Sequence, residues 1–241
     1  MNGTDRPRLE ELDWQQTTMG ELMLRRRVEL ATGEDVYEVR LDDEYLMSSA
    51  FTVAERELAR AALASAQPGN LDVLVGGLGL GYTAAEALRE RRVSQLVVVE
   101  ALGPVIDWHA RRLLPASGVV AGDPRCRMVE GDFFALARTG ALAGLSETRQ
   151  GFDAILLDID HTPTHHLDPS HASFYTAVGL EQLGAALRPE GVFGLWSDES
   201  AGEEFLDLLR SVFSHAEEID VPFENPITRG TSSNTVYLAR I

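Results

Sequence analysis

From Leu71 onward, apolar runs alternate with helical stretches: LDVLVGG, GYTAAEALRERR, SQLVVVE, GPVIDWHARRLLP, CRMVEGD and FDAILLDID. The apolar runs do not alternate with polar residues, which is the pattern of parallel strands buried on both faces. It predicts a doubly wound α/β sheet. Farther on, FYTAVGLEQLGAALRPEG reads as a helix with its terminator, GVFGLWSD as a strand and EEFLDLLRSVF as a helix. AEEIDVPF and NTVYLARI then form a closing antiparallel pair. Upstream, ELMLRRRVEL, VYEVRL and YLMSS are separated by turn-forming Gly and Asp and predict three short antiparallel strands. Residues 1–14 are polar and read as a loose arm or short helix. Thr52 and Glu55 have capping-box spacing and open the helix TVAERELARAALASA, which Gln67-Pro68-Gly69-Asn70 stops. Two units are expected: residues 1–66, a small β-region with a linking helix, and residues 67–241, the doubly wound α/β domain.

Composition narrows the function classes. The 241 residues carry 21 Lys+Arg against 38 Asp+Glu, a formal charge of −17, which argues against a nucleic-acid partner because phosphate contacts need a basic face. With 44% hydrophobic and 24% charged residues the chain is an ordinary globular one. The single cysteine, Cys126, forms no intramolecular disulfide, and it alternates with Met128 as an apolar filler on a strand. No stretch has the length of a signal peptide's apolar core or of a membrane span, so a cytoplasmic protein without a membrane partner is expected. The Arg25-Arg26-Arg27 run reads as a solvated device on a sheet edge.

The candidate chemistry begins at Val73-Leu74-Val75-Gly76-Gly77-Leu78-Gly79-Leu80-Gly81, a strand entering a glycine-rich turn ahead of a helix. Such glycines let the backbone approach a nucleoside, and the helix start offers free N–H groups. Glu100 ends the next strand, where a carboxylate can accept ribose hydroxyls. Asp132 ends the third strand within Glu130-Gly131-Asp132, placed to accept from an adenine amino group, with Phe133-Phe134 beside the base. Gly79-Leu80-Gly81-Tyr82-Thr83-Ala84 also fits the G-x-G-x-x-A dinucleotide pattern, so an NAD(P)-dependent reductase stands as an alternative.

Taken in order, VLVGG, VVVE with VIDWHARRLLP, DPRCRMVEGD, FDAILLD and FYTAVGLEQLGAALRPEGVF resemble the spermidine synthase family of aminopropyltransferases, which share the fold of S-adenosylmethionine-dependent methyltransferases. The resemblance implies a Rossmann-like class I methyltransferase fold and a cofactor that is S-adenosylmethionine or its decarboxylated form. It implies a cofactor site of Gly76, Gly77, Gly79, Gly81, Glu100, Ala101, Gly131, Asp132, Phe133 and Asp158, and a homodimer paired through the N-terminal sheet. Departures from the family pattern lie on the substrate side. The loop acid that holds the aminopropyl ammonium corresponds to Gly79, and the acid of the first-helix motif falls near Arg56. A glutamine after the fifth strand is replaced near Trp196. The Asp-x-x-Asp-Pro stretch reads Asp158-Ile159-Asp160-His161-Thr162-Pro163.

A buried ammonium without a carboxylate is costly, so these departures favour methyl transfer to a small, amine-type acceptor over aminopropyl transfer. Either reaction aligns a nucleophile with a carbon on a sulfonium, and a nearby carboxylate or imidazole takes the proton. Asp158, Asp160 and His161 are the expected catalytic groups; Tyr175, Trp196 and Asp198 are expected to line the acceptor pocket. The loop at 161–171 is rich in His and Asp but matches no defined metal spacing, so a substrate-covering lid is expected and no metal is assigned. A non-catalytic S-adenosylmethionine-binding protein is the remaining alternative.

Overall fold

The computed structural model describes residues 7–30, 32–148, 150–225 and 230–241. It opens with a four-stranded antiparallel sheet in sequential order: β1 (Leu9–Thr17), β2 (Gly20–Val28), β3 (Asp35–Leu41) and β4 (Glu44–Ser48). Helix α1 (Val53–Ser65) leads to the large unit, where β5 (Leu71–Gly76), α2 (Tyr82–Ala87), β6 (Val93–Glu100), α3 (Gly103–Ala110), α4 (Ser117–Val120) and β7 (Cys126–Glu130) follow one another. Next come α5 (Phe133–Arg138), β8 (Phe152–Leu157), α6 (Ala177–Gly184), β9 (Leu187–Ser197), α7 (Glu203–Val212), β10 (His215–Asn225) and β11 (Gly230–Arg240). The seven strands run in the order β7-β6-β5-β8-β9-β11-β10, parallel from β7 to β9 and antiparallel at β11 and β10. This is the expected doubly wound sheet with its terminal antiparallel pair.

The central strands form because they can be buried completely. Every residue of β5 is buried, and Val97, Val98 and Val99 of β6 and Ile155, Leu156 and Leu157 of β8 have no solvent exposure. The sheet therefore has apolar layers on both faces, and its strand ends are free to carry a site only at the loops. Helix α1 buries Ala54, Leu58, Ala59, Ala62 and Leu63 on one stripe, which lies against α2, β9 and β11.

Two expectations for the N-terminal region change. Residues 9–17 are a strand, paired with β2 from Leu9↔Arg27 to Thr17↔Gly20, rather than an arm or helix. The strand is mostly polar, and it is held by its ladder and by ion pairs: Arg26, 5% exposed, meets Glu10 at 2.9 Å and Asp35 at 2.6 Å. Arg25 and Arg27 each meet a carboxylate oxygen of buried Glu38 at 2.6 Å, so the arginine run is an internal network of the sheet and not a solvated edge. Glu38's carboxyl is held below its ordinary range by these arginines, against the opposing effect of burial.

The small sheet packs on the large unit. Leu22, Leu24 and Val39 share one apolar cluster with Leu58 and Trp108, and the indole Nε1 of Trp108, fully buried on α3, donates to Asp13 Oδ2 at 2.6 Å. Trp108→Phe keeps the ring and strands that carboxylate. Urea unfolding should register a loss of about 1–3 kcal/mol, and amide exchange should quicken in β1 and β2 while β5 and β8 stay protected.

Candidate functional site

Loops at the C-terminal ends of the parallel strands meet over the sheet, as open α/β sheets require of a ligand site. The junction is tight. Gly77 N–H donates to Val99 O and Asp158 N–H to Gly76 O, each at 2.9 Å. Gly77 has φ +91°, and a Cβ there would collide with the carbonyl oxygen of Asp158. Only glycine lets the β5 loop lie against the end of β8.

Two cavities open from this junction. The larger, about 580 Å³, is lined by Gly77, Gly79, Glu100, Ala101, Gly131, Asp132, Phe133, Phe134 and Asp158. Its far walls come from two segments that the sequence reading did not place there: Thr18 and Met19 at the tip of the β1–β2 hairpin, and Leu167, Asp168, Ser170 and His171 of the loop after β8. Glu100 Oε2 accepts N–H bonds from Leu78 at 2.9 Å and Gly79 at 3.3 Å, and Oε1 accepts from Leu102 at 2.8 Å. Burial pushes this carboxyl up and the backbone donors partly offset it. Glu100 thus braces the glycine loop as well as lining the cleft. Asp132 Oδ1 caps α5 through Ala135 N–H at 3.0 Å. Gly76 lies beneath the cleft rather than in its wall, because the Phe133 ring comes within 2.6 Å of where its Cβ would be.

The smaller cavity, about 290 Å³, lies on the other side of the loop. Leu46, Met47, Gly79, Asp158 and Ile159 line both cavities and so form the partition that the two share. Tyr45, Phe51, Tyr82, Trp196 and Phe223 supply aromatic walls, and Glu55, Asp158, His161 and Asp198 the ionisable groups. Thr83 Oγ1 donates to Asp158 Oδ2 at 2.6 Å. Burial pushes the carboxyl of Asp158 up, and burial together with the charge of Asp158 pushes Glu55 up. Two carboxyls that repel each other in a shielded pocket resist ionising together and hold a proton that either can exchange. His161 Nε2 lies 3.6 Å from Glu44 Oε1, and Asp198 Oδ1 accepts from Asn234 Nδ2 at 2.9 Å. The Arg56 guanidinium sits 4.9 Å over the Tyr82 ring and pairs with Glu86, so it supports the wall and does not enter the cavity.

Two expected site residues lie elsewhere. Asp160 is 1% exposed and lines neither cavity. Its Oδ1 meets Leu167 N–H and His171 Nδ1, each at 2.8 Å, and its Oδ2 accepts from Tyr175 OH at 2.9 Å. Every oxygen is engaged in pinning the loop, so Asp160 is an anchor and not a reacting group. Tyr175 is turned inward with it, its ring stacked on His166 at 4.8 Å. Strand β8 ends at Leu157, so the alternation that would aim Asp158 and Asp160 the same way does not continue. His171 stacks on Phe134 at 3.9 Å and closes one end of the larger cleft. Among the described residues no group of three or more His, Cys, Asp or Glu is arranged to hold a metal ion, and no helix is long and apolar enough to cross a membrane.

Glu55 is the main cavity residue that sequence reasoning did not place in the site. The capping-box spacing absorbed it, yet Thr52 makes no side-chain cap bond to α1 and Glu55 lines the smaller cavity.

No protein-family model matches the sequence. A polyamine aminopropyltransferase of Pyrobaculum neutrophilum is 31% identical over 137 residues, 56% of this chain and 45% of that protein. The chain thus aligns with about half the length, or less, of the aminopropyltransferases it matches. Ribose-5-phosphate isomerase A of Chlamydia trachomatis is 29% identical over 184 residues, 66% of this chain and 70% of that protein. Among solved structures, a spermidine synthase in complex with the transition-state analogue AdoDATO superposes with a TM-score of 0.72 at 19% identity, over 95% of this chain and 73% of that one. Human methyltransferase-like protein 13 in complex with SAH gives 0.57 at 21% identity, over 78% and 82%. The chain has the class I methyltransferase fold shared by these structures, and over about half of its length its sequence is similar to part of the polyamine aminopropyltransferases.

Proposed function

We propose that the protein is a transferase that moves an aminopropyl group from decarboxylated S-adenosylmethionine to a small cationic amine. The observation that carries this reading is the pairing of two acids beside a nucleoside-sized cleft: Asp158, in the partition that the cleft shares with an aromatic-walled cavity, and Glu55, which lines that second cavity and feels the charge of Asp158. The expectation of methyl transfer rested on lost ammonium partners. Glu55, Asp158 and Asp198 supply acids in the acceptor cavity, and the similarity to aminopropyltransferases favours the aminopropyl reading over methyl transfer. One observation still supports methyl transfer: the loop itself carries Gly79 and no acid.

The larger cleft fits an adenosine. Its volume lies in the ordinary range for small-molecule sites, Glu100 and Asp132 present carboxylates at neighbouring strand ends, and Phe133 and Phe134 present rings. The sulfonium supplies a carbon already activated for displacement. What this chain contributes is placement and proton handling. Met47, Gly79 and Ile159 stand in the partition between the two cavities, and the aromatic walls suit a cation by their ring faces. An ammonium must lose a proton before nitrogen can attack. Asp158, fixed by Thr83, accepts that proton, with Glu55 as the second site. The nitrogen lone pair then forms the new C–N bond, the C–S pair returns to sulfur, and a neutral thioether nucleoside leaves.

Product masses after incubation with diamines and either cofactor test the reading: a gain of an aminopropyl group with the decarboxylated cofactor is expected, and a gain of a methyl group with S-adenosylmethionine alone would overturn it. Asp158→Asn should lower kcat at least about a hundredfold and change the affinity for 5′-methylthioadenosine far less. A carboxyl whose ionisation is raised on folding binds more protons in the folded than the unfolded state, so stability falls as pH rises through the folded value. Glu55→Gln removes this term. Its stability relative to the unsubstituted protein should rise between about pH 5 and about pH 9, by about 1–2 kcal/mol in denaturant titrations.

A further inference from the structure

His109 is fully buried on α3, outside both cavities, and the reaction proposed above does not use it. Its Nε2 lies 2.9 Å from the carbonyl oxygen of Gly79, and its Nδ1 lies 3.3 Å from Ser117 Oγ. A carbonyl only accepts, so Nε2 carries the proton and Nδ1 is left to accept from the Ser117 hydroxyl, whose oxygen in turn accepts Leu114 N–H at 3.3 Å. Burial also disfavours the charged imidazolium. The ring is thus a neutral donor in a fixed tautomer.

The loop is shaped around that ring. Gly81 has φ +86°, and a Cβ on it would come within 2.6 Å of His109 Cε1, so the imidazole reaches Gly79 through the space that a side chain at 81 would fill. Gly79 is held from both sides: its N–H by Glu100 Oε2 and its carbonyl by His109 Nε2. The peptide after Gly79 is trans, so drawing its carbonyl toward α3 turns the Leu80 N–H the opposite way. Gly79 belongs to the wall of both cavities, and the orientation of this one peptide shapes the partition between them.

We propose that His109 is a positioning residue that sets the conformation of the glycine loop, and through it the affinity of the cleft for an S-adenosyl nucleoside. This rests on the reading of the larger cleft as the nucleoside site. The probes are S-adenosylhomocysteine and 5′-methylthioadenosine, titrated calorimetrically into the full chain. His109→Phe keeps the ring and loses the donor, and the affinity for both probes should fall about tenfold or more. His109→Gln places an amide N–H near the former Nε2 and should recover most of that affinity even where its melting temperature matches that of His109→Phe, a split that a merely structural role does not produce. Ser117→Ala leaves the ring in place and frees its tautomer; a several-fold loss is expected, and it serves as the test if His109→Phe does not fold. Wild-type affinity in His109→Phe, equal losses in His109→Phe and His109→Gln, or, where His109→Phe does not fold, no loss in Ser117→Ala, would overturn the proposal and leave the nucleoside reading standing. Failure of the unsubstituted protein to bind either probe would overturn both.

Discussion

The site depends on one close approach, that of Gly77 to the backbone of Asp158. Hydrogen bonds tie the end of β5 to β6 and β8, and the absent Cβ at Gly77 lets the loop settle against the Asp158 carbonyl. That contact puts the acid, which directly follows the largely buried strand β8, beside the glycine loop. The two cavities can then share a wall: the loop is thin enough for Gly79 to line both, and Asp158 lines both beside it.

The electrostatics follow from the same crowding. The chain carries far more acid than base, and most of its interior charge is neutralised locally. Arg188 bridges Asp72 and Asp153, each at 2.6 Å, at the opposite end of the sheet, and Glu86 gathers Arg56, Arg60 and Arg89. Glu55 and Asp158 differ because no arginine is salt-bridged to either of them among the described residues; they face each other and Thr83. Burying two carboxyls this way costs stability, and a bound cation relieves that cost by drawing both toward ionisation.

What was legible in the sequence tracks how strongly burial dictates residue choice. Strands β5, β6 and β8 are apolar through their centres because both faces are covered there, and the loops that follow them carry the glycines and acids where the fold needs them. Strand β1 was illegible because its stability comes from pairing with β2 and from ion pairs such as Glu10–Arg26, which leave no periodic apolar signal. Glu55 was misread for a related reason: a Thr-x-x-Glu spacing is satisfied by local capping or by a tertiary role, and only the packing of α1 against α2 decides which. Asp160 and Tyr175 fail in the opposite sense. Residues with reactive functional groups, placed beside a strand end, were spent on holding a loop.

Helix α3 ties the small sheet to the glycine loop. Its consecutive residues Trp108 and His109 are both fully buried, and they reach different partners: the indole fastens the N-terminal sheet through Asp13, and the imidazole fastens the glycine loop through Gly79. The small sheet is more than an appendage, since Thr18 and Met19 wall the larger cleft, Tyr45 walls the smaller cavity and Met47 stands in the partition between the two. One turn of α3 thus sets both halves of the enclosure relative to each other. A shift of the small sheet is felt at Met47, directly against Gly79, and a shift of the loop is felt there from the other side. The enclosure behaves as a single packed unit because interior side chains at this density leave no slack to absorb such movements separately.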